Sequence, residues 1–213
     1  MNEPEVPPLS PNVHPVPSNG RRHTGPIEAV LHRCWPRDTV PPAQLVTAVD
    51  RLATLPSHLA GRLVGEITGI YIGLGMVTDY PAFADLYDHP VDPSRPDGPR
   101  WQHIPAGYRN RVIVIGSGGT PLTRDLTMHE VAHALDDMDG MISDAAEFRA
   151  LHWTCREALI DDRYVRQRQE FFAEAFTLCY LRVWDVLEAW LGGATSRAFD
   201  VASWYRRNYD VGR

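Results

Sequence analysis

Hydrophobic positions along the chain alternate between two periods. From Ala43 to Leu55, apolar residues fall at Leu45, Val46, Val49, Leu52, Ala53 and Leu55, a helical spacing opened by Pro41-Pro42 and closed by Pro56. Ser57 then caps a further short helix through Leu63, and residues 27–35 (IEAVLHRCW) predict a short helix stopped by Pro36. The stretch 67–74 (ITGIYIGL) is β-branched and aromatic and reads as a strand. Residues 81–88 (PAFADLYD) predict a helical turn or two with Pro81 in first position. The proline-rich stretch 89–110 predicts a long irregular connection. Residues 111–115 (RVIVI) are the strongest strand signal, followed by a glycine turn at Gly116–Gly119.

The second half is helical. Thr120-Pro121 predicts a helix start and Asp139-Gly140 its stop. Asp144 and Glu147 have capping-box spacing for a helix to about Ile160, with a polar break at 161–163. A long helix is expected from Val165 to about Leu191, ended by Gly192-Gly193, and a last one over 195–207. Two of these helices carry apolar residues on both sides. In the first, Leu122, Leu126, His129 and His133 share one face while Met128, Val131, Ala132 and Leu135 occupy the other. In the second, Phe171 to Leu181 is apolar all round except for its acids. Such helices are central. Strands among helices define an α+β class, with residues 27–213 as one domain behind a Pro-rich, disordered tail at 1–26.

Composition changes this picture little. Of the 213 residues, 44% are hydrophobic and 23% charged, a globular balance. The net charge of −6 leaves no basic field for phosphates and argues against a nucleic-acid partner. Cys34, Cys155 and Cys179 are too few and too far apart for a disulfide framework, and Cys155 and Cys179 read as buried apolar residues. The first twenty residues hold no apolar signal-peptide core, and the longest apolar run falls far short of the roughly 20 residues of a membrane span. The default location is the cytoplasm, and export by a leaderless route would leave no mark here.

The candidate chemistry lies on the first central helix. His129-Glu130-Val131-Ala132-His133 is an HExxH sequence. On a helix, residues four apart stand one above the other, so both imidazoles can reach one zinc ion at roughly 2.0–2.1 Å. Glu130 projects beside the pair, where it can hold a water molecule and take its proton. Catalytic zinc takes three protein ligands. Four acids are candidates for the third: Glu170 and Glu174, four apart on the apolar helix, and Glu147 and Asp139. Buried acids in apolar surroundings are costly unless paired or metal-bound, which favours the first two. Trp101 and His103 read as core and surface.

HEVAHALDDMDG, followed 37 residues after His133 by EFFAEAF, resembles the catalytic domain of anthrax lethal factor and its relatives, among them the clostridial Pro-Pro endopeptidases and, more distantly, the Mlc-titration-factor peptidases. The resemblance spans roughly residues 60–185. It implies a gluzincin-like metallopeptidase domain: a small sheet with an edge strand packed on the central HExxH helix, and a second long helix bearing a glutamate. It implies zinc as cofactor, His129, His133 and Glu170 as ligands, Glu130 as base, Glu174 behind the ligands, and Asp136 and Asp137 in support. The family carries a tyrosine seven residues before the ligand glutamate, which stabilises the oxyanion. Here Arg163 holds that position and Tyr164 comes one residue late, so Tyr164 is the expected donor. A protein or peptide substrate is expected to pair antiparallel with the 111–115 strand through Val112 and Val114, with the Gly116–Gly119 turn giving backbone room beside it. A delivered toxin or effector, a regulatory protease and a housekeeping cytoplasmic protease share these residues. A zinc-stabilised binding protein with vestigial activity is the alternative.

Overall fold

The computed structural model describes residues 20–119 and 123–212. The strands are β1 (Leu31–Cys34), β2 (Gly69–Gly73), β3 (Ala106–Arg109) and β4 (Val112–Ile115). They form one sheet in the order β1-β2-β4-β3. β1, β2 and β4 run parallel, with Leu31 beside Ile70 and Ile70 beside Ile113, and β3 runs antiparallel to β4. A parallel pair needs a crossover, and α1 (Ala43–Ala53) with α2 (Ser57–Glu66) supplies it between β1 and β2. Ile70, Ile72, Ile113 and Ile115 point into the main core. Val114 points the other way, with Tyr71 and Val112 beside it, into a smaller cluster of Val77, Tyr80 and Phe83. That is the period-two alternation of a strand buried on both faces.

Two strands differ from expectation. Residues 27–35 make only a 3-10 turn at Gly25–Ala29 before the chain extends into β1. The pairing with β2, continued by Ile70 N–H to Val30 C=O at 2.7 Å, overrides a weak helical preference. The irregular connection 89–110 ends in an ordered strand, β3. A tight two-residue turn joins it to β4, with Asn110 and Arg111 both at positive φ (50° and 64°), the geometry that matches the twist of a hairpin. Residues 20–26, expected to belong to the tail, are packed: Arg33 donates to the carbonyls of Gly20 (3.1 Å) and Arg22 (2.6 Å). Residues 1–19 lie outside the described residues.

Arg33 also holds Glu28, with Nη2 2.7 Å from Oε1. The guanidinium lowers the Glu28 carboxyl to about 2 against the opposing effect of burial, with the Thr24 N–H and hydroxyl helping. A depressed carboxylate pKa contributes stability above its ordinary value and loses it as pH falls toward the folded one. The Glu28→Gln protein is therefore expected to melt below wild type at neutral pH. The gap should close between about pH 4.5 and pH 2, read from melting temperature against pH.

The helices that matter for function are α3 (Leu126–Met138) and α6 (Arg168–Leu181), packed against each other in the core. α3 starts at Leu126 and not at Thr120-Pro121. Asp125 is its cap, accepting from the Met128 N–H at 3.1 Å and pairing with Arg51 on α1 at 2.6 Å. Residues 120–122 lie outside the described residues. The expected stop holds: Asp139 caps the end and Gly140 turns at φ 70°. α4 (Ala146–Cys155) begins without the expected capping box, because Asp144 pairs with Arg168 and Glu147 with Arg207. The expected long helix is three. α5 (Asp162–Arg166) is split from α6 by Gln167 in extended conformation. α6 is split from α7 (Trp184–Trp190) by Arg182 at φ 56°, with Val183 N–H returning to Leu178 C=O as in a left-handed helix cap. α8 (Thr195–Tyr209) closes the fold, and Tyr205 donates to the Phe172 carbonyl at 2.7 Å. Cys155 and Cys179 are buried thiols, and Cys34 is exposed.

Candidate metal centre and cleft

The α3 helix sets His129 and His133 on one face with their Nε2 atoms 3.2 Å apart. Glu170, in the first turn of α6, reaches both: Oε2 lies 3.4 Å from His129 Nε2 and Oε1 3.5 Å from His133 Nε2. Bonds of roughly 2.0–2.2 Å in a tetrahedral zinc site place neighbouring ligand atoms roughly 3.3–3.5 Å apart. The three side chains therefore already stand at the separations that one such ion requires. Among the described residues, His129, His133 and Glu170 are the metal-competent cluster. The other candidates are engaged elsewhere, Asp139 with Arg62 and Tyr209, Glu147 with Arg207.

The electrostatics also fit a cation. His129 is 4% exposed. Burial alone would push its imidazole toward neutrality, yet Glu170 and Glu174 overcome this and hold it up to about 10. Glu170 and Glu174 are in turn lowered against their own burial, mainly by His129. A buried ring gripped this strongly by carboxylates sits in a negative pocket, where a divalent ion can replace the proton.

Glu174 lies behind the ligands, with Oε2 3.3 Å from His129 Nδ1. Thr123 Oγ1 and the Arg124 N–H donate to its carboxylate and fix it in place. The approach to His129 is an ion-pair contact and not an aligned hydrogen bond, and it puts the carboxylate where a group supporting a metal-ligating histidine stands. The Glu174→Gln protein is expected to bind zinc about 10–100-fold more weakly, measured by competition with a chromophoric chelator.

Glu130 is 6% exposed and lines the cleft beside the triad. Burial raises its pKa despite the neighbouring histidines, which moves a carboxylate toward the range of a general base near neutral pH. The backbone of Tyr108 on β3 lies close enough to oppose that rise slightly. Asp136 closes the turn after α3, accepting the Ser143 N–H (2.7 Å) and hydroxyl (2.6 Å). Asp137 accepts the Tyr108 hydroxyl at 2.5 Å, tying the edge strand to the metal-site helix.

The cleft has a volume of about 1030 Å³, runs along β3, and is floored by His129, His133 and Glu170. The expected strand edge is displaced. β4, with Val112 and Val114, is paired on both sides and has no free edge; the edge strands are β1 and β3, and β3 is the one that lines the cleft. Sequence reading missed β3 because AGYR carries no clear alternation, although the turn before a strong strand was a signal. Gly116 N–H donates to Pro105 C=O at 2.6 Å, which fixes the parity of the ladder. Gly107–Val114 and Arg109–Val112 are then the hydrogen-bonded pairs, and Ala106 and Tyr108 turn their backbone groups outward to the cleft. The Gly116–Gly119 turn is not among the residues that line the cleft, and at Gly116 the missing side chain accommodates the chain itself: a Cβ there would stand 2.1 Å from the Gly75 carbonyl oxygen. Trp101 packs on Phe83 and lines the cleft, and His103 is exposed.

Tyr164 is 5% exposed and packs edge-on against Trp190, ring centres 5.1 Å apart. It does not line the cleft; Arg163 does. The Tyr164 hydroxyl accepts from Arg163 Nη2, and Arg163 Nη1 lies 3.7 Å from Glu170 Oε2. The one-residue offset in the sequence is thus an offset in space.

An HExxH helix joined to a distant glutamate on a second buried helix, beside a small sheet with a free antiparallel edge, defines a metallopeptidase-type domain. The chain belongs to the anthrax toxin lethal factor family: the family model for its N- and C-terminal domain matches residues 28–186. The Pro-Pro endopeptidase PPEP-2 from Paenibacillus alvei has the same fold, with TM-score 0.68 and 19% identity over 84% of this chain and 99% of that one. No curated protein matches the sequence. No helix is long and apolar enough to cross a membrane among the described residues.

Proposed function

We propose that the protein is a zinc-dependent endopeptidase. The observation that carries this reading is the convergence of His129, His133 and Glu170 at zinc-ligand separations, with Glu130 beside them and a free strand edge along the same cleft. When bound there, zinc supplies Lewis acidity, polarising a carbonyl and making water acidic.

The chain's residues do the rest. Ala106 and Tyr108 offer outward backbone groups for a peptide laid antiparallel on β3, which brings its carbonyl past the metal site. Glu130 holds the attacking water and accepts its proton as the oxygen bonds to the carbonyl carbon. The carbonyl π pair moves onto oxygen. It returns as the C–N bond breaks, and Glu130 passes the proton to the leaving nitrogen, so one water is consumed per bond cut. The test is cleavage of a random peptide library by the zinc-loaded protein, read by mass spectrometry, with and without chelator. Cleavage that stops on chelation and resumes with zinc supports the reading; cleavage indifferent to chelation contradicts it.

A second reading is favoured by one observation, the withdrawal of Tyr164 from the cleft onto Trp190. In it the metal stabilises a peptide-binding domain with vestigial activity. Zinc would then raise the melting temperature while library peptides bind without being cut.

A further inference from the structure

Arg163 enters the cleft from α5 and stops at the metal-site glutamate, Nη1 to Glu170 Oε2 3.7 Å. Its guanidinium is held from behind. The carbon lies 4.4 Å from the centre of the Tyr164 ring, and Nη2 donates to the Tyr164 hydroxyl. That ring is itself wedged against Trp190, so the phenol is a fixed mount. The cleft floor is otherwise acidic, with Glu130, Glu170, Asp136 and Asp137. Of the other arginines along the cleft, Arg109 is paired with Asp85 and Arg166 with Asp162, and Arg95, like them, makes no ion pair with the triad among the described residues. Arg163 is the cation paired to the triad among the described residues.

The two sides of the triad are therefore unlike. Glu130 lines the cleft near the Tyr108 backbone of β3, and Arg163 comes from α5 beside Glu170. For both groups to act on one bond, a peptide carbonyl must lie between them with its carbon toward Glu130 and its oxygen toward the guanidinium. We propose that Arg163 is the protein's hydrogen-bond donor to the oxyanion formed during cleavage, and that Tyr164 acts through it as a positioning residue. The inference rests on the endopeptidase reading. As the water oxygen bonds to carbon, the displaced π pair makes the carbonyl oxygen an anion, and the guanidinium receives it through charge-assisted N–H bonds. Arginine keeps all its protons throughout, and proton transfer stays with Glu130.

The test compares wild type with Arg163→Met, Arg163→Lys and Tyr164→Phe. The readouts are kcat and KM on the fastest-cleaved library peptide, zinc affinity by chelator competition, and affinity for a phosphinic pseudopeptide of the same sequence, whose tetrahedral anion mimics the oxyanion. Arg163→Met is expected to lower kcat about 100- to 1,000-fold, as loss of one oxyanion donor does, with KM and zinc affinity near wild type. Affinity for the pseudopeptide should fall by the same factor as kcat/KM. Arg163→Lys should recover part of the loss. Tyr164→Phe should cost less than Arg163→Met, and the double variant no more than Arg163→Met alone, because the phenol works only through the guanidinium.

A wild-type kcat in Arg163→Met overturns the proposal. So does a loss confined to KM, which makes Arg163 a ground-state binding group, or to zinc affinity, which makes it a support for Glu170. If Arg163→Met shows no cooperative melting, Arg163→Lys and Tyr164→Phe decide the matter on the same readouts. Unchanged kcat and pseudopeptide affinity in both would overturn it. Failure of the endopeptidase reading looks different: zinc-loaded wild type cuts nothing in the library.

Discussion

The Glu130→Gln protein is expected to bind zinc as wild type does and to cleave peptides about 10²–10⁴-fold more slowly, the range a positioned general base contributes. The reason is local. Glu130 lines the cleft beside the triad, while the three metal-competent groups sit on other residues. An amide in its place keeps the size and can still hold a water, but it takes no proton. The change also removes a buried group whose charged form is disfavoured by its surroundings, so the fold should not suffer. Single-turnover kinetics, with zinc content and melting temperature measured on the same sample, check the expectation. Full activity in this variant would remove Glu130 from the mechanism.

The second large effect concerns the third ligand. In Glu170→Ala, zinc affinity is expected to fall well beyond the roughly 10–100-fold cost of losing a supporting partner such as Glu174. Wild-type protein at a zinc concentration near 100 times its Kd gains about 2.7 kcal/mol of stability. That gain should vanish in Glu170→Ala at the same zinc concentration, seen as the loss of the zinc-dependent rise in melting temperature. Asp139→Ala and Glu147→Ala are the contrasts. Both acids belong to surface pairs away from the triad, and zinc should stabilise these variants as it does wild type. Equal zinc responses in Glu170→Ala and wild type would move the third ligand elsewhere.

Much of the site was legible because its chemistry is tied to helical spacing. Histidines four positions apart share one face, and an acid inside an apolar helix needs a partner, so HEVAH and the Glu170–Glu174 helix pointed to each other across the sequence. The strands flanking the core β-branched runs were not legible. β1 (LHRC) and β3 (AGYR) carry little intrinsic preference and exist by pairing with β2 and β4, which composition does not reveal. Missing β3 carried the further error of giving β4 a free edge. The break in the expected long helix depends on Arg182 at positive φ, a conformation usually marked by glycine, so no residue signalled it. The offset at Tyr164 and Arg163 is of the same kind. Their order is plain in the sequence, but which of them faces the cleft is decided by the extended Gln167 between α5 and α6 and by the Trp190 ring that receives the phenol.

In the proposed mechanism His129, His133 and Glu170 hold one zinc ion. A crystal structure of the zinc-loaded protein, with anomalous difference density collected at the zinc absorption edge, tests it most directly. One strong peak is expected within roughly 2.0–2.2 Å of His129 Nε2, His133 Nε2 and a Glu170 carboxylate oxygen, with a further position open toward Glu130. A fully loaded crystal whose zinc peak lies away from these three atoms, or that shows none in the cleft, would contradict it.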